Sequence, residues 1–405
     1  MAETGSLPQE VKEHLETIGT ADVVIGLPSI DSDDGLTWVA QVASADRRVV
    51  IACPSTNGAS SSALLEGVEI LRYVVPPSDR YLNTPPGLYG AFQEVFQISQ
   101  RVGAKCCCVW NTNPQRISSE VIGEMLEPLI NQGFDLVVPR YVEVKLGSLV
   151  NSSIIYPAVR ALYGKRIHFS MAIDLSFSAS FVDRLLQLDP KTRRPRCHQW
   201  IAIEAINAGL KICEANLPME PPRPPESTDV SSILAMVLGR LFQDLERNAT
   251  VWQRSNGSQN VPAFGTLLRK EEDEVTVEVQ PMIETFQLGY RNLREIWTVA
   301  LPPATFLELK KMTALAGNSF RMPDELWVRI VYDFALAYRQ RAINREHLLR
   351  AMTPLYLAWV ASHALEIRSA SNADHQYVLE RLALAFEKEK PYLLSRWRWP
   401  DRFNP

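Results

Sequence analysis

The chain has 405 residues, 46% of them hydrophobic, which is enough for two domains and a sizeable core. A formal charge of -4 leaves no basic footprint and argues against nucleic acid as a partner. No stretch approaches the ~18 uninterrupted apolar residues of a membrane span, and the polar opening MAETGSLPQEVKEHLET lacks the apolar centre of a secretory leader. Six cysteines, three of them adjacent at Cys106, Cys107 and Cys108, do not have the spacing of a disulfide framework and read as small buried residues. The expectation is a soluble, cytoplasmic protein without a transmembrane segment.

Residues 1–20 read as a charged lead-in helix. A buried strand follows over 21–28 and breaks into the acidic loop Asp31-Ser32-Asp33-Asp34-Gly35, before a helix from Leu36 to Val42. RRVVIA (47–52) is a second strand, ending in the polar turn Pro54-Ser55-Thr56-Asn57-Gly58, and Ile70 to Val75 a third. Pro85-Pro86-Gly87 punctuates the chain before a helix from Tyr89 to Ser99. A strand from Lys105 to Trp110 then runs into Asn111-Thr112-Asn113-Pro114. Strands alternating with helices at this spacing predict a doubly wound, mostly parallel α/β sheet, whose ligands collect at the carboxyl ends of its strands. The loops at Asp31, Ser55 and Asn111 are therefore the ones to watch.

The stretch from Asp135 to Ser180 opens with a strand, Leu136-Val137-Val138, stopped by Pro139. An apolar helix from about Ser152 to Tyr163 follows, and Pro157 makes it either start near Ile155 or bend. Gly164 stands where a left-handed helix stop belongs, with Lys165 and Arg166 completing the last turn. Lys191 to Arg196 is a solvated basic loop, Trp200 to Ala208 a helix, Leu210 to Ala215 a strand, and Pro218 to Pro225 a stiff connector. From Thr228 the pattern is helical throughout: 231–248, 282–300, 303–316, 324–342, 344–369 and 374–388. The only strand-like run there is Val275 to Val279. The domains expected are the lead-in 1–20, an α/β domain 21–225 and an all-helical domain 226–405.

D-L-V-V-P-R-Y followed by N-x-x-I-x-Y-P-x-x-R-A-L-Y-G-K-R-I (135–167) resembles the middle of the glucosyl-3-phosphoglycerate synthases. These and the related mannosylglycerate synthases are retaining glycosyltransferases of the GT-A fold, dependent on a nucleotide sugar. The resemblance implies a GT-A domain followed by a helical one, with a nucleotide sugar and a small anionic acceptor as partners. It implies nucleotide-sugar contacts at Asp33, Asp34, Ser55, Asn57, Asn111 and Asn113, and acceptor contacts at Arg140, Ser148, Asn151 and Arg166, with Lys145 nearby. Asp174 occupies the position of the acidic residue that faces the donor sugar.

Four family features are replaced. The metal-binding D-x-D reads Asn111-Thr112-Asn113, and the phosphate lysine of P-G-K-G is lost in Pro86-Gly87-Leu88-Tyr89. The G-G-D reads Ala172-Ile173-Asp174, and the late metal histidine falls at Met219-Glu220. Mg²⁺ or Mn²⁺ wants hard anionic oxygens, so amides at Asn111 and Asn113 predict a weak or absent metal site and instead a hydrogen-bonded turn before Pro114. The family's acidic position in T-D-x-W is His198, beside Cys197; adjacent side chains rarely face each other, and the two read as rim residues. Two functions stay open: transfer of a sugar to a small anionic acceptor, or an inactive relative that binds or scaffolds. The Trp- and Arg-rich tail Tyr392 to Pro400 either caps its own domain or docks a second subunit or another protein.

Overall fold

A run such as Val23-Val24-Ile25 between polar flanks buries both faces only as a strand inside a covered sheet. The computed structural model describes residues 7–28, 33–43, 47–55, 59–74, 88–142, 144, 146–188, 199–222, 229–268, 277–368 and 372–398. Its first elements are α1 (Gln9–Ile18), β1 (Val23–Gly26), α2 (Asp33–Ala43), β2 (Val49–Ser55), β3 (Ser60–Leu65), β4 (Val68–Val74), α3 (Leu88–Arg101), β5 (Cys106–Val109), α4 (Ser119–Asn131) and β6 (Leu136–Arg140). Next come α5 (Tyr156–Tyr163), β7 (Lys165–Arg166), β8 (Leu175–Ser178), α6 (Ala179–Gln187), α7 (Gln199–Asn207) and β9 (Ile212–Asn216). The remainder holds α8 (Val230–Arg247), α9 (Ala249–Trp252), β10 (Gln259–Asn260), β11 (Ala263–Phe264), α10 (Gln280–Asn292), α11 (Arg294–Ala300) and α12 (Pro303–Met312). It closes with α13 (Asp324–Gln340), α14 (Arg345–Arg350), α15 (Thr353–Ile367) and α16 (Asn372–Arg398).

Among the described residues nine strands form one sheet in the order β11-β9-β6-β8-β5-β1-β2-β4-β3. Pairing is parallel except where β8 runs against β5 and β6 and where β3 runs against β4. This is the expected mostly parallel α/β architecture, followed by helices. All four residues of β5, three of them the cysteines, are buried. Gly26 is required by closeness: a Cβ there would lie 2.4 Å from Val95 Cγ2 of α3.

The chain divides into two units, one of 1–142, 169–220 and 261–268, the other of 143–168, 221–260 and 269–405. The single boundary expected near 225 is therefore replaced by a discontinuous division. Residues 143–168, expected in the sheet domain, belong to the helical unit, whereas 261–268 return to the sheet as β11. The physical cause is side-chain traffic within the helical unit. Arg160 of α5 is wholly buried and gives both ends of its guanidinium to Glu380 and Glu387 of α16.

Several local expectations are corrected. Asp33 and Asp34 open α2 rather than lying in a loop, as suits carboxylates at a helix N-terminus. Pro54 and Ser55 belong to β2, which pairs along its whole length with β4, and Pro139 lies inside β6 opposite Ala215. The strand β3 was not expected; SSSALL has no apolar alternation to announce it, and Gly67 at φ 79° makes the turn into β4. The helix ahead of Gly164 starts as a π turn over Asn151–Ile155, and Pro157 then sits in the first turn of α5. Proline has no N–H for the Ser153 carbonyl, and that carbonyl instead accepts the Trp327 indole at 3.0 Å. Gly164 is left-handed as expected, with φ 70°, but Lys165 and Arg166 leave the helix and pair with β10. The runs 282–300 and 344–369 each break into two helices.

In the helical unit the core is aromatic: Trp327 stacks on Trp359, and Trp252 meets Trp397 edge-on. The tail is the end of α16 and packs on its own unit. Arg396 donates to Asp333 at 2.6 Å, both buried, and the Tyr392 hydroxyl joins them. The alternative expectation, a tail free to dock a partner, fails for Trp397 and Arg396 because both are buried. No helix among the described residues is long and apolar enough to cross a membrane.

Candidate functional site

Because β8 runs against its neighbours, its first residue lies at the carboxyl ends of β5 and β6. Four segments therefore meet at one edge of the sheet: Asn111–Asn113 after β5, Tyr141 after β6, Ala172–Asp174 before β8 and Leu217–Met219 after β9. Backbone hydrogen bonds fix them, Leu217 N–H to the Arg140 carbonyl at 2.8 Å and Val142 N–H to the Met219 carbonyl at 2.9 Å. This is where open α/β sheets hold ligands.

Asp174 is the charged centre of that edge, and it is buried. One carboxylate oxygen accepts the Asn111 N–H at 2.8 Å, and the other accepts the Tyr141 hydroxyl at 2.6 Å. Burial pushes the Asp174 carboxyl above the ordinary range, while the Tyr141 hydroxyl and the Asn111 and Thr112 N–H groups pull the other way. Burial likewise pushes the Tyr141 phenol well up, so it stays a donor. The Tyr141 ring is held edge-on against Phe169 at 5.1 Å, and the turn from Phe169 to Ala172 presents Asp174. In this arrangement the carboxylate ties the loop after β5 to the end of β6.

The loop after β5 and the segment after β9 bring neutral groups to it at Asn113, Thr112 and Met219. Asn113 Oδ1 accepts the Gln115 N–H at 3.1 Å and caps a short 3-10 turn over Pro114–Arg116, the turn expected there. The buried Thr112 hydroxyl faces the Met219 sulfur at 4.0 Å. The positions read as the metal loop and the late histidine thus do come together, but as threonine and thioether. Arg116 reaches the Glu220 carbonyl oxygen at 3.5 Å. A hard divalent cation does not fit this donor set: one amide oxygen is spent on a turn, both Asp174 oxygens have donors, and a thioether is a soft ligand. Among the described residues no three His, Cys, Asp or Glu side chains cluster as metal ligands.

The other residues expected at a site are placed as follows. Asp33 and Asp34 are exposed in the first turn of α2, with Asp33 ion-paired to Arg72. Ser55 ends β2, half-buried opposite Val74. Asn57, Lys145, Pro86-Gly87 and Cys197-His198 lie outside the described residues. The four acceptor residues fall in two units, Arg140 in the sheet unit and Ser148, Asn151 and Arg166 in the helical one. Ser148 is exposed and adopts φ 52°, a left-handed conformation uncommon outside glycine. Asn151 Nδ2 donates to the His168 carbonyl at 2.7 Å, and the His168 ring stacks on Tyr156 at 4.8 Å. Arg166 donates from Nε to the Ser258 hydroxyl, just ahead of β10, at 2.9 Å. Tyr141 and the Tyr156–His168 stack were not singled out from sequence; the one available signal for Tyr141 is its place directly after a predicted strand.

Among solved structures the chain is similar to glucosyl-3-phosphoglycerate synthase from Mycobacterium tuberculosis in complex with Mg²⁺ and uridine diphosphate. The identity is 14% and the TM-score 0.37, over 58% of this chain and 83% of that one. It is also similar to that enzyme in complex with Mn²⁺, UDP-glucose and phosphoglyceric acid (14%, TM-score 0.34, 58% and 82%), and to a mycobacterial protein (15%, TM-score 0.37, 58% and 77%). No family model and no curated protein matches. Likeness of this degree says nothing about the chemistry at the strand ends.

Proposed function

We propose that the chain is a GT-A-type relative of the glucosyl- and mannosylglycerate synthases that serves as a binding or scaffolding module, without metal-dependent sugar transfer. The observation that supports this reading is the clamp on Asp174. The one carboxylate retained at the donor edge has each oxygen within hydrogen-bond distance of a protein donor, Asn111 N–H and Tyr141 OH. Its neighbours Asn113, Thr112 and Met219 bring no charge to stabilise a departing diphosphate. A nucleotide or nucleotide sugar is the ligand class the resemblance suggests, held by polar contacts after β2 and β5.

Sugar transfer to a small anionic acceptor is the second reading, favoured by the retained carboxylate itself and by the cation Arg166, two residues before the His168 whose carbonyl accepts the Asn151 amide. Calorimetry with UDP and with GDP, each with and without Mn²⁺, separates the two. The module reading predicts that Mn²⁺ leaves any nucleotide heat unchanged within about twofold in Kd. Heat that requires Mn²⁺, or turnover of UDP-glucose with phosphoglycerate as acceptor, overturns it.

A further inference from the structure

The loop after β5 carries a cation that the frame hardly uses. Arg116 ends the 3-10 turn over Pro114–Arg116, and that turn is pinned on both sides. Asn113 Oδ1 accepts the Gln115 N–H at its start, and the Trp38 indole of α2 donates to the Ile117 carbonyl at 2.9 Å just past its end. The backbone is held while the Arg116 side chain stays exposed. Among the described residues its guanidinium makes no ion pair and one hydrogen bond, from Nη1 to the Glu220 carbonyl. At 3.5 Å that contact lies beyond the usual range.

This one contact crosses the strand-end edge. It runs from the loop after β5 to the segment after β9, the two segments that also meet where the Thr112 hydroxyl faces the Met219 sulfur. The same two segments are where the sequence lacks the D-x-D and the late histidine. A permanent positive charge thus spans the place a divalent ion would need to occupy. The Ser118-capped N-terminus of α4 begins two residues beyond Arg116, and a helix of 13 residues adds partial positive charge there, reduced by Glu120 in its first turn. Arg140, the other cation near this edge, already has a partner.

We propose that Arg116 stands in for the metal ion, its guanidinium holding the diphosphate of a nucleotide bound at this edge; the proposal rests on the module reading and adds to it the group that neutralises the phosphates. A guanidinium stays charged at any ordinary pH, and its planar fork matches two phosphate oxygens at once. It is also more weakly hydrated than an ammonium, which favours its transfer from water onto an anion. Leaving Glu220 costs little because the existing contact is long, and the pinned turn means that only the side chain has to move. The consequence is binding that needs the phosphates and the arginine but no divalent ion.

Calorimetry of the full chain with UDP and with GDP, in EDTA and then in Mn²⁺, tests this, with circular dichroism confirming that each variant is folded. The wild-type chain is expected to bind at least one of the two in EDTA. Arg116→Ala is expected to weaken that binding at least about tenfold, and Arg116→Lys, which keeps the charge but loses the fork, about threefold. The loss in Arg116→Ala is expected to be at least about threefold larger for the diphosphate than for the matching monophosphate, UMP or GMP. A diphosphate bound equally well by Arg116→Ala in EDTA, or a loss as large for the monophosphate, overturns this assignment and leaves the module reading standing. Failure of both UDP and GDP to bind under either condition also overturns it and leaves a scaffold. Binding that appears only with Mn²⁺ overturns the module reading as well.

Discussion

At the strand ends of the sheet unit one carboxylate, Asp174, is buried among neutral donors, whereas the helical unit buries Arg160, Arg396 and Lys390 against carboxylates and carbonyls. The first arrangement satisfies an anion with two hydrogen bonds and offers no opposite charge. The second satisfies its cations with acidic side chains or with several carbonyls. Arg160 meets Glu380 and Glu387, Arg396 meets Asp333, and the Lys390 ammonium donates to the carbonyls of Ala161, Leu162 and Ser255 at 2.9, 3.3 and 2.6 Å. Charge in the helical unit is therefore structural cement, while Asp174 at the strand ends is a tether held by neutral donors. A leaving diphosphate needs cations there, and Arg140 at the end of β6 and Arg116 beside Glu220 are the ones near this edge among the described residues.

The largest effect that can break this comparison is expected from Arg160→Met. It leaves Glu380 and Glu387 without their buried cation and should cost about 3 kcal/mol in chemical denaturation. A loss below ~1 kcal/mol means that the pair is not cementing α5 to α16. Asp174→Asn comes next. Its amide keeps the Asn111 N–H on its oxygen only by turning its NH2 toward the Tyr141 hydroxyl, which must then accept and loses the acceptor for its own buried proton, and about 1–3 kcal/mol of stability should go. If Asp174→Asn instead leaves stability untouched and removes a sugar-transfer activity, the carboxylate belongs to chemistry and not to the frame.

The third prediction sharpens the contrast through pH. His363, buried against Trp359 and His375, is pushed down to about 3, chiefly by burial. The unfolded chain takes up this proton near the ordinary histidine value of 6.5 and the folded chain only near 3. Stability is thus full above about pH 6.5 and falls as acid passes through the window from about 6.5 to 3, by about 1.4 kcal/mol per pH unit from this one group. In His363→Phe that share of the slope should vanish; an unchanged slope in denaturation curves between about pH 6.5 and 4.5 places the acid sensitivity elsewhere.

How much of this was legible in sequence varied with the range of the interactions. Buried strands such as Val23-Val24-Ile25 and the cysteine strand announce themselves by apolar runs, and the stop at Gly164 by glycine at a helix end. The strand β3 did not, because it borrows its pairing from β4 and its residues carry no alternation. Breaks at Leu293 and near Ala351 interrupt patterns whose apolar spacing runs straight through. The Asn113 turn could be read locally from Asn before Pro-Gln. The partner of Asp174 could not: Tyr141 lies 33 residues away, and only the antiparallel entry of β8 brings the two together. The division at 143–168 was hidden for a similar reason, since Arg160 finds Glu380 across 220 residues.

The sheet also contains its own clock. Cys53, Cys106, Cys107, Cys108 and Cys213 are free and buried on β2, β5 and β9, and burial pushes Cys53 up to about 11 and Cys106 and Cys213 up to about 12. A thiolate is the species that reacts, so an alkylating reagent can modify these sulfurs only when the strands part. In a chain carrying Cys197→Ser, the rate of alkylation then measures how often the middle of the sheet opens to water.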